Sequence, residues 1–153
     1  MEGKLTAVLV RSLELRDIED VLAIQAASPE IAQWNLWDYD RVARGAMAGW
    51  VAELDAGEMA GFLVARLVAR ELEILNFAVR PAARRGGIGR ALLGEALRWA
   101  KMSEAHEAFL EVRVSNVAAL QFYERHKFEV TGRRPRYYTA PIEDALLLRL
   151  ALS

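Results

Sequence analysis

The stretch that most constrains this chain is residues 72–91, LEILNFAVRPAARRGGIGRA. Leu72, Ile74, Leu75, Phe77 and Val79 make a nearly continuous apolar run, which predicts a strand buried on both faces. Pro81 withholds a ladder N–H and ends that strand. Arg84, Arg85, Gly86, Gly87, Ile88, Gly89 and Arg90 follow, and then a helical pattern begins. Glycine admits positive φ and lets a ligand come close to the backbone. The helix adds first-turn N–H groups without intrahelical partners and the positive end of its dipole. Such a terminus binds anions, phosphate above all. Arg80, Arg84, Arg85 and Arg90 surround it in sequence, which suits more than one phosphate. A softened loop with solvated arginines satisfies the same spacing. Two familiar phosphate loops do not fit. No lysine and hydroxyl follow Gly89, and Gly87-Ile88-Gly89 runs on into Arg90-Ala91-Leu92 rather than to a third glycine.

Composition narrows the classes of function. A chain of 153 residues with 54% hydrophobic and 27% charged residues predicts one domain over 1–153 with a real core. A net charge of −1 argues against a nucleic-acid partner for the chain as a whole. Without cysteine there is no disulfide and no thiolate nucleophile, and with only His106 and His126 no metal site is expected. No apolar run is long enough to span a bilayer, so no membrane partner is expected. Residues 1–12 lack the apolar core of a signal peptide, and the cytoplasm is the expected location.

Taken in order, Leu5–Val10 predicts a strand, and Asp17 an N-cap for a helix that ends at Ser28-Pro29. Asp38 suits the cap of a second helix over 39–47. Trp34 and Trp37 either line a groove or plug the edge of the core. Residues 50–54 and 59–68 read as a hairpin about Asp55-Ala56-Gly57-Glu58, and Ala69-Arg70 links it to the strand at 71–79. The helix at 87–101 exposes Arg90, Gly94, Arg98 and Lys101 and buries Ile88, Leu92, Ala96 and Trp99. A strand at 109–114, a helix at 116–125 and strands at 128–131 and 142–150 complete the chain, with a basic aromatic loop over 132–141. The order β-α-α-β-β-β-α-β-α-β-β predicts an α/β (α+β) fold, a mixed sheet with helices on its faces.

Glu111 alternates with apolar Leu110, Val112 and Val114, so it shares the other face of its strand with Arg113. Tyr123 stands one helical turn from Ala119 and Leu120, at an apolar border. From the residues alone, Glu111 suits a surface carboxylate or a general base, and Tyr123 a core tyrosine or a proton donor. Asn116 suits a helix cap or a ligand contact.

Two motifs carry a resemblance. Arg84-Arg85-Gly86-Gly87-Ile88-Gly89 resembles the R/Q-x-x-G-x-G/A loop of the GNAT N-acetyltransferases. Residues 110–128, LEVRVSNVAALQFYERHKF, are similar to the corresponding segment of the RimI-like branch, the ribosomal-protein-alanine N-acetyltransferases. Asn76–Val79, Arg133-Arg134, Tyr137-Tyr138 and Glu143-Asp144-Ala145 match that branch too. The resemblance covers about residues 60–150 well and the first third loosely.

It implies the GNAT fold, a mixed sheet of about seven strands flanked by about four helices. It implies acetyl-CoA as cosubstrate, held by the backbone of Phe77, Ala78 and Val79, by the loop from Arg84 to Arg90, and by Asn116. It implies Glu111 as base and Tyr123 as acid. The acceptor it implies is a protein N-terminus, alanine of a ribosomal protein among the candidates, and the assembly a monomer or homodimer. Alternatives are a small amine or lysine acceptor, or a CoA-binding module without turnover. Three departures stand out. Lys127 takes the place of a glycine at a helix C-terminus, where lysine is strained. The Arg133–Arg136 segment is one residue longer than the family loop, and the usual Pro-Trp-Ser around Trp34 is missing.

Overall fold

The computed structural model describes residues 7–55 and 57–152. The elements are β1 (Val8–Ser12), α1 (Ile18–Ala26), α2 (Leu36–Ala43), β2 (Ala48–Leu54), β3 (Met59–Val68), β4 (Glu71–Val79), α3 (Ile88–Met102), β5 (Glu107–Arg113), α4 (Val117–Arg125), β6 (Glu129–Thr139) and β7 (Ile142–Ala151). Single 3₁₀ turns stand at Leu15–Asp17 and Pro81–Ala83. The order is the one the patterning predicts. Leu5 and Thr6 of the predicted first strand and Ala56 of the hairpin turn lie outside the described residues. The seven strands form one mixed sheet in the order β1-β2-β3-β4-β5-β7-β6. The β1–β2, β2–β3, β5–β7 and β6–β7 pairs are antiparallel, and β4 runs parallel to β5 over Glu71–Glu73.

The chain divides into two compact units. The first holds the chain up to Arg66 together with Leu75–Trp99. Its core gathers Leu13, Ile18, Val21, Ile24, Tyr39, Val42, Val51, Phe62, Val64 and Ala78. Gly49 lets α2 come down on β2, since a Cβ there would stand 2.5 Å from Val42. Along α3 the stripe falls nearly as predicted: Arg90, Gly94, Arg98 and Lys101 face solvent, Ile88, Leu92 and Ala96 are buried together with Leu93, and Trp99 is half-buried. The second unit holds Leu67–Ile74 and the chain from Ala100. There Leu110 and Val112 of β5, Tyr123 of α4, Phe128, and Ala145 and Leu148 of β7 are buried.

Several predicted boundaries are corrected. Asp17 stands at the start of α1, but its carboxylate does not cap that helix. It accepts from both Arg11 terminal nitrogens at 2.8 Å and from the Glu14 N–H at 2.7 Å. Asp38 is not the cap of α2 either. Asn35 caps it, and Asp38 reciprocates from the third position: Asn35 Oδ1 accepts from the Asp38 N–H, and Asp38 Oδ2 from the Asn35 N–H. That helix stops at Ala43 because Gly45 turns the chain at φ 93°.

The strand at 71–79 is buried on one face only: Leu72, Ile74, Asn76 and Ala78 are buried, and the residues between them half-buried. The largest correction is the expected loop at 132–141. It is strand, and β6 runs unbroken to Thr139. Two-sided hydrophobic alternation is absent there because β6 is an edge strand. The extra length is taken up as a bulge, with Arg134 opposite Ala145 and Tyr138 opposite Glu143. Pro135 sits in that bulge, where no ladder N–H is needed.

Candidate active site

The glycine turn starts where β4 ends. Pro81 opens a 3₁₀ turn, Arg84 is extended, and Arg85 and Gly87 are left-handed at φ 67° and 84°. For Arg85 that conformation costs about 1 kcal/mol or more. These two reversals set Ile88 as the first residue of the 15-residue α3. The Ala91 N–H bonds the Gly87 carbonyl at 3.0 Å, so the amides of Ile88, Gly89 and Arg90 precede the helical ladder. With the dipole behind them, these amides have the chemistry an anion needs. Gly86 is exposed, and a Cβ there would meet Ala83 O at an ordinary 3.5 Å.

The four arginines divide. Arg80 pairs with Glu58 at 2.6 Å. Arg84 turns back on its own strand: Nε donates to Val79 O at 3.1 Å, and its terminal nitrogen lies 3.4 Å from Ser28 Oγ and 3.6 Å from Glu30. Arg85 and Arg90 are exposed and have no carboxylate partner among the described residues. The expected ring of four is therefore two arginines at the turn and two that fasten it.

Within the same unit, β4 is pressed closely by β3. A Cβ on Gly61 would lie 2.8 Å from Ala78 O and 3.3 Å from Val79 Cα. Only glycine admits that approach without moving the peptide of Ala78 and Val79. Ala78 is buried, whereas Phe77 and Val79 stand half-buried on the opposite face.

Asn76 is the residue that motif reasoning left without a role. It is 4% exposed, and its amide donates to Ala32 O at 3.0 Å and to the Tyr39 hydroxyl at 2.9 Å. Tyr39 in turn donates to Gln25 Oε1, which also accepts from the Trp34 N–H, while Gln25 Nε2 donates to Trp34 O. This network pins the irregular segment 32–35 to the core. Burial pushes the Tyr39 hydroxyl above the ordinary tyrosine range. A polar residue inside an apolar run was the available signal. The tryptophans part company: Trp34 stacks on Tyr39 at 5.4 Å against the core, and Trp37 is 71% exposed.

The second unit carries Glu111, Asn116 and Tyr123. Glu111 shares a face of β5 with Glu107, Phe109 and Arg113, while Ala108, Leu110 and Val112 are buried. Its Oε2 is 2.6 Å from Arg134 Nε, and the Tyr137 hydroxyl reaches its Oε1 at 3.4 Å. Asn116 caps α4, Oδ1 accepting from the Ala119 N–H at 3.2 Å. The turn before that cap is held by Glu143, which accepts from the Ser115 N–H at 2.9 Å and pairs with Arg113 at 3.2 Å.

Tyr123 is 6% exposed, and burial pushes its hydroxyl above the ordinary tyrosine range, so it keeps its proton at neutral pH. The end of α4 fixes its place. The Phe128 N–H bonds Tyr123 O, the Lys127 N–H bonds Glu124 O, and Lys127 takes φ 74°. This is a Schellman motif with lysine in the left-handed position, closed by the Tyr123–Phe128 ring contact at 5.3 Å. The turn thus keeps its shape despite the missing glycine.

The model of the family described as "Acetyltransferase (GNAT) family" matches residues 13–128. The chain is 37% identical over 99 residues to the ribosomal protein bS18-alanine N-acetyltransferase of Escherichia coli (strain K12), covering 63% of this chain and 67% of the other. It is 30% identical to an N-alpha-acetyltransferase of Sulfurisphaera tokodaii, over 94% of this chain and 92% of the other. The crystal structure of the ribosomal-protein-S18-alanine N-acetyltransferase from Escherichia coli superposes with a TM-score of 0.85 at 29% identity, covering 96% of this chain and 95% of that one.

Proposed function

This chain belongs to the acetyltransferase (GNAT) family, and on that premise we propose that it transfers acetyl from acetyl-CoA to the α-amine of a protein N-terminus. The observation that carries the donor half is the turn from Arg84 to Ile88. Its left-handed residues lead into the first-turn amides of α3, and Arg85 and Arg90 are left for phosphate. In this reading the loop from Arg84 to Arg90 takes the pyrophosphate, the backbone of Phe77, Ala78 and Val79 takes the thioester arm, and Asn116 adds a contact. Arg84 contributes by holding the loop to Val79 O.

The chemistry is direct attack. The amine nitrogen bonds the thioester carbon, the C–S bond breaks, the amine's proton goes to Glu111, and Tyr123 donates toward sulfur as its charge develops. A thiol titrates at about 8.5, so a thiolate is a weaker base than a buried phenolate. Tyr123 therefore acts mainly by hydrogen bonding the departing sulfur. An α-amine titrates at about 7.7–8.0 against about 10.4 for lysine, so roughly a tenth of it is already neutral at pH 7. A modest carboxylate base then suffices for an N-terminus.

Alanine of a ribosomal protein is the acceptor that the Escherichia coli relative's name puts first, and it would place the reaction in the cytoplasm. The test is mass spectrometry of alanine-initiated peptides, lysine peptides and small amines incubated with acetyl-CoA, beside ribosomal proteins from cells lacking this chain. One acetyl group on the free α-amine, and its loss from a ribosomal N-terminus in those cells, is the expected result. Unchanged ribosomal N-termini reject that target, and preference for lysine rejects the α-amine.

A further inference from the structure

Around Glu111 the charges are matched pair by pair. On the same part of the second unit Arg113 pairs with Glu143, Arg133 with Asp144 and Arg149 with Glu107. Glu111 meets Arg134, with Nε 2.6 Å from Oε2 but out of hydrogen-bond alignment. The partners differ in freedom: the Glu111 side chain is 16% exposed and that of Arg134 59%. The carboxylate is fixed by β5, whereas the guanidinium ends a long side chain beside the β6 bulge. On the other oxygen stands the Tyr137 hydroxyl, and the Arg134 guanidinium lies 5.8 Å from the Tyr137 ring centroid.

An α-amine arrives near pH 7 mostly as an ammonium. To lose its proton to Glu111 it must reach a carboxylate whose Oε2 faces the Arg134 guanidinium and whose Oε1 faces the Tyr137 hydroxyl. An ion pair with one exposed partner and no hydrogen-bond alignment is held weakly, so the exposed guanidinium can give way. We propose that Arg134 is a positioning and specificity-determining residue: it holds the Glu111 carboxylate in the empty enzyme and exchanges with the acceptor's α-ammonium for Oε2. Acceptors that bring a cation to that point replace it, and acceptors that do not meet a closed pair. The proposal rests on Glu111 being the base.

The test is calorimetric titration of an alanine-initiated peptide, and of the same peptide N-acetylated, into enzyme loaded with coenzyme A, which has no acetyl group to give. Arg134→Gln should bind the free-amine peptide about two- to fivefold tighter, the scale of one exposed ion pair. Its affinity for the acetylated peptide should not change, and Arg134→Lys, which keeps a competing cation, should stay near wild type. In turnover, the acceptor KM of Arg134→Gln should fall while the acetyl-CoA KM holds. Weaker or equal binding of the free-amine peptide by Arg134→Gln overturns the proposal. So does an equal change for both peptides, which a merely structural role would give. Failure of the base assignment would show instead as normal turnover of Glu111→Gln, and that leaves the affinity comparison intact.

Discussion

Tyr123 shows how one side chain is prepared for a role. Its hydroxyl is buried and its burial disfavours the phenolate, so it holds a proton through neutral pH. If it hydrogen-bonds the departing sulfur, Tyr123→Phe should lower turnover about a hundredfold, the scale of one lost transition-state hydrogen-bond donor. Acetyl-CoA binding should change little, because the ring and its contact with Phe128 remain. Single-turnover kinetics beside equilibrium binding separates the two, and a collapse of binding with normal turnover at saturation contradicts the assignment. At this scale the motif picked out Glu111, Asn116 and Tyr123 as residues. It did not reveal that Glu111 would be met by Arg134 and Tyr137, because β6 reads locally as loop.

At the scale of elements, the α4 terminus offers a clean test of strain. Lys127 adopts φ 74° so that two Schellman bonds can close. Glycine carries no Cβ penalty there, so Lys127→Gly should stabilise the protein by about 1 kcal/mol. The midpoint of denaturant unfolding should rise without a change in slope. A fall would mean that the lysine side chain contributes more than its backbone costs. The same scale explains the main misreading. Strand patterning depends on one face being buried, and β6 exposes nearly all of its residues at the sheet edge. Its identity as strand comes from pairing with β7 and from Asp144, which accepts from Arg133 Nε and the Arg136 N–H.

For the whole molecule, the titrating groups set a window of stability. The Tyr39, Tyr123 and Tyr138 hydroxyls are raised by burial, Tyr138 to about 12. A folded value above the unfolded one, about 10, gives stability that is complete below pH 10 and lost as pH climbs past it. Asp17 is lowered, because Arg11 and the Glu14 N–H outweigh the effect of its burial. Asp144 and Glu143 are lowered by backbone and side-chain hydrogen bonds. Their contribution is present above the usual carboxylate range near 4 and is lost as pH falls through it. The melting temperature should therefore be level from about pH 5 to 9 and fall on both sides. A steady decline between pH 7 and 9 would contradict the alkaline assignment.

The sequence by itself determined the element order, the glycine turn and most of the buried stripe of α3, and it offered the cap at Asn116 beside a ligand contact. Each depends on periodicity, proline, glycine or a polar cap acting over a few residues, and such forces are local. Only the tertiary structure decided that Asn76 would meet Tyr39 and Ala32, 37 and 44 residues away. The same holds for Arg80 pairing with Glu58, for Arg84 bonding back to Val79 O and for Arg134 meeting Glu111. Those choices depend on which buried polar group or charge finds a partner after the chain has packed. A partner's place is a property of the packed fold, not of the neighbouring sequence.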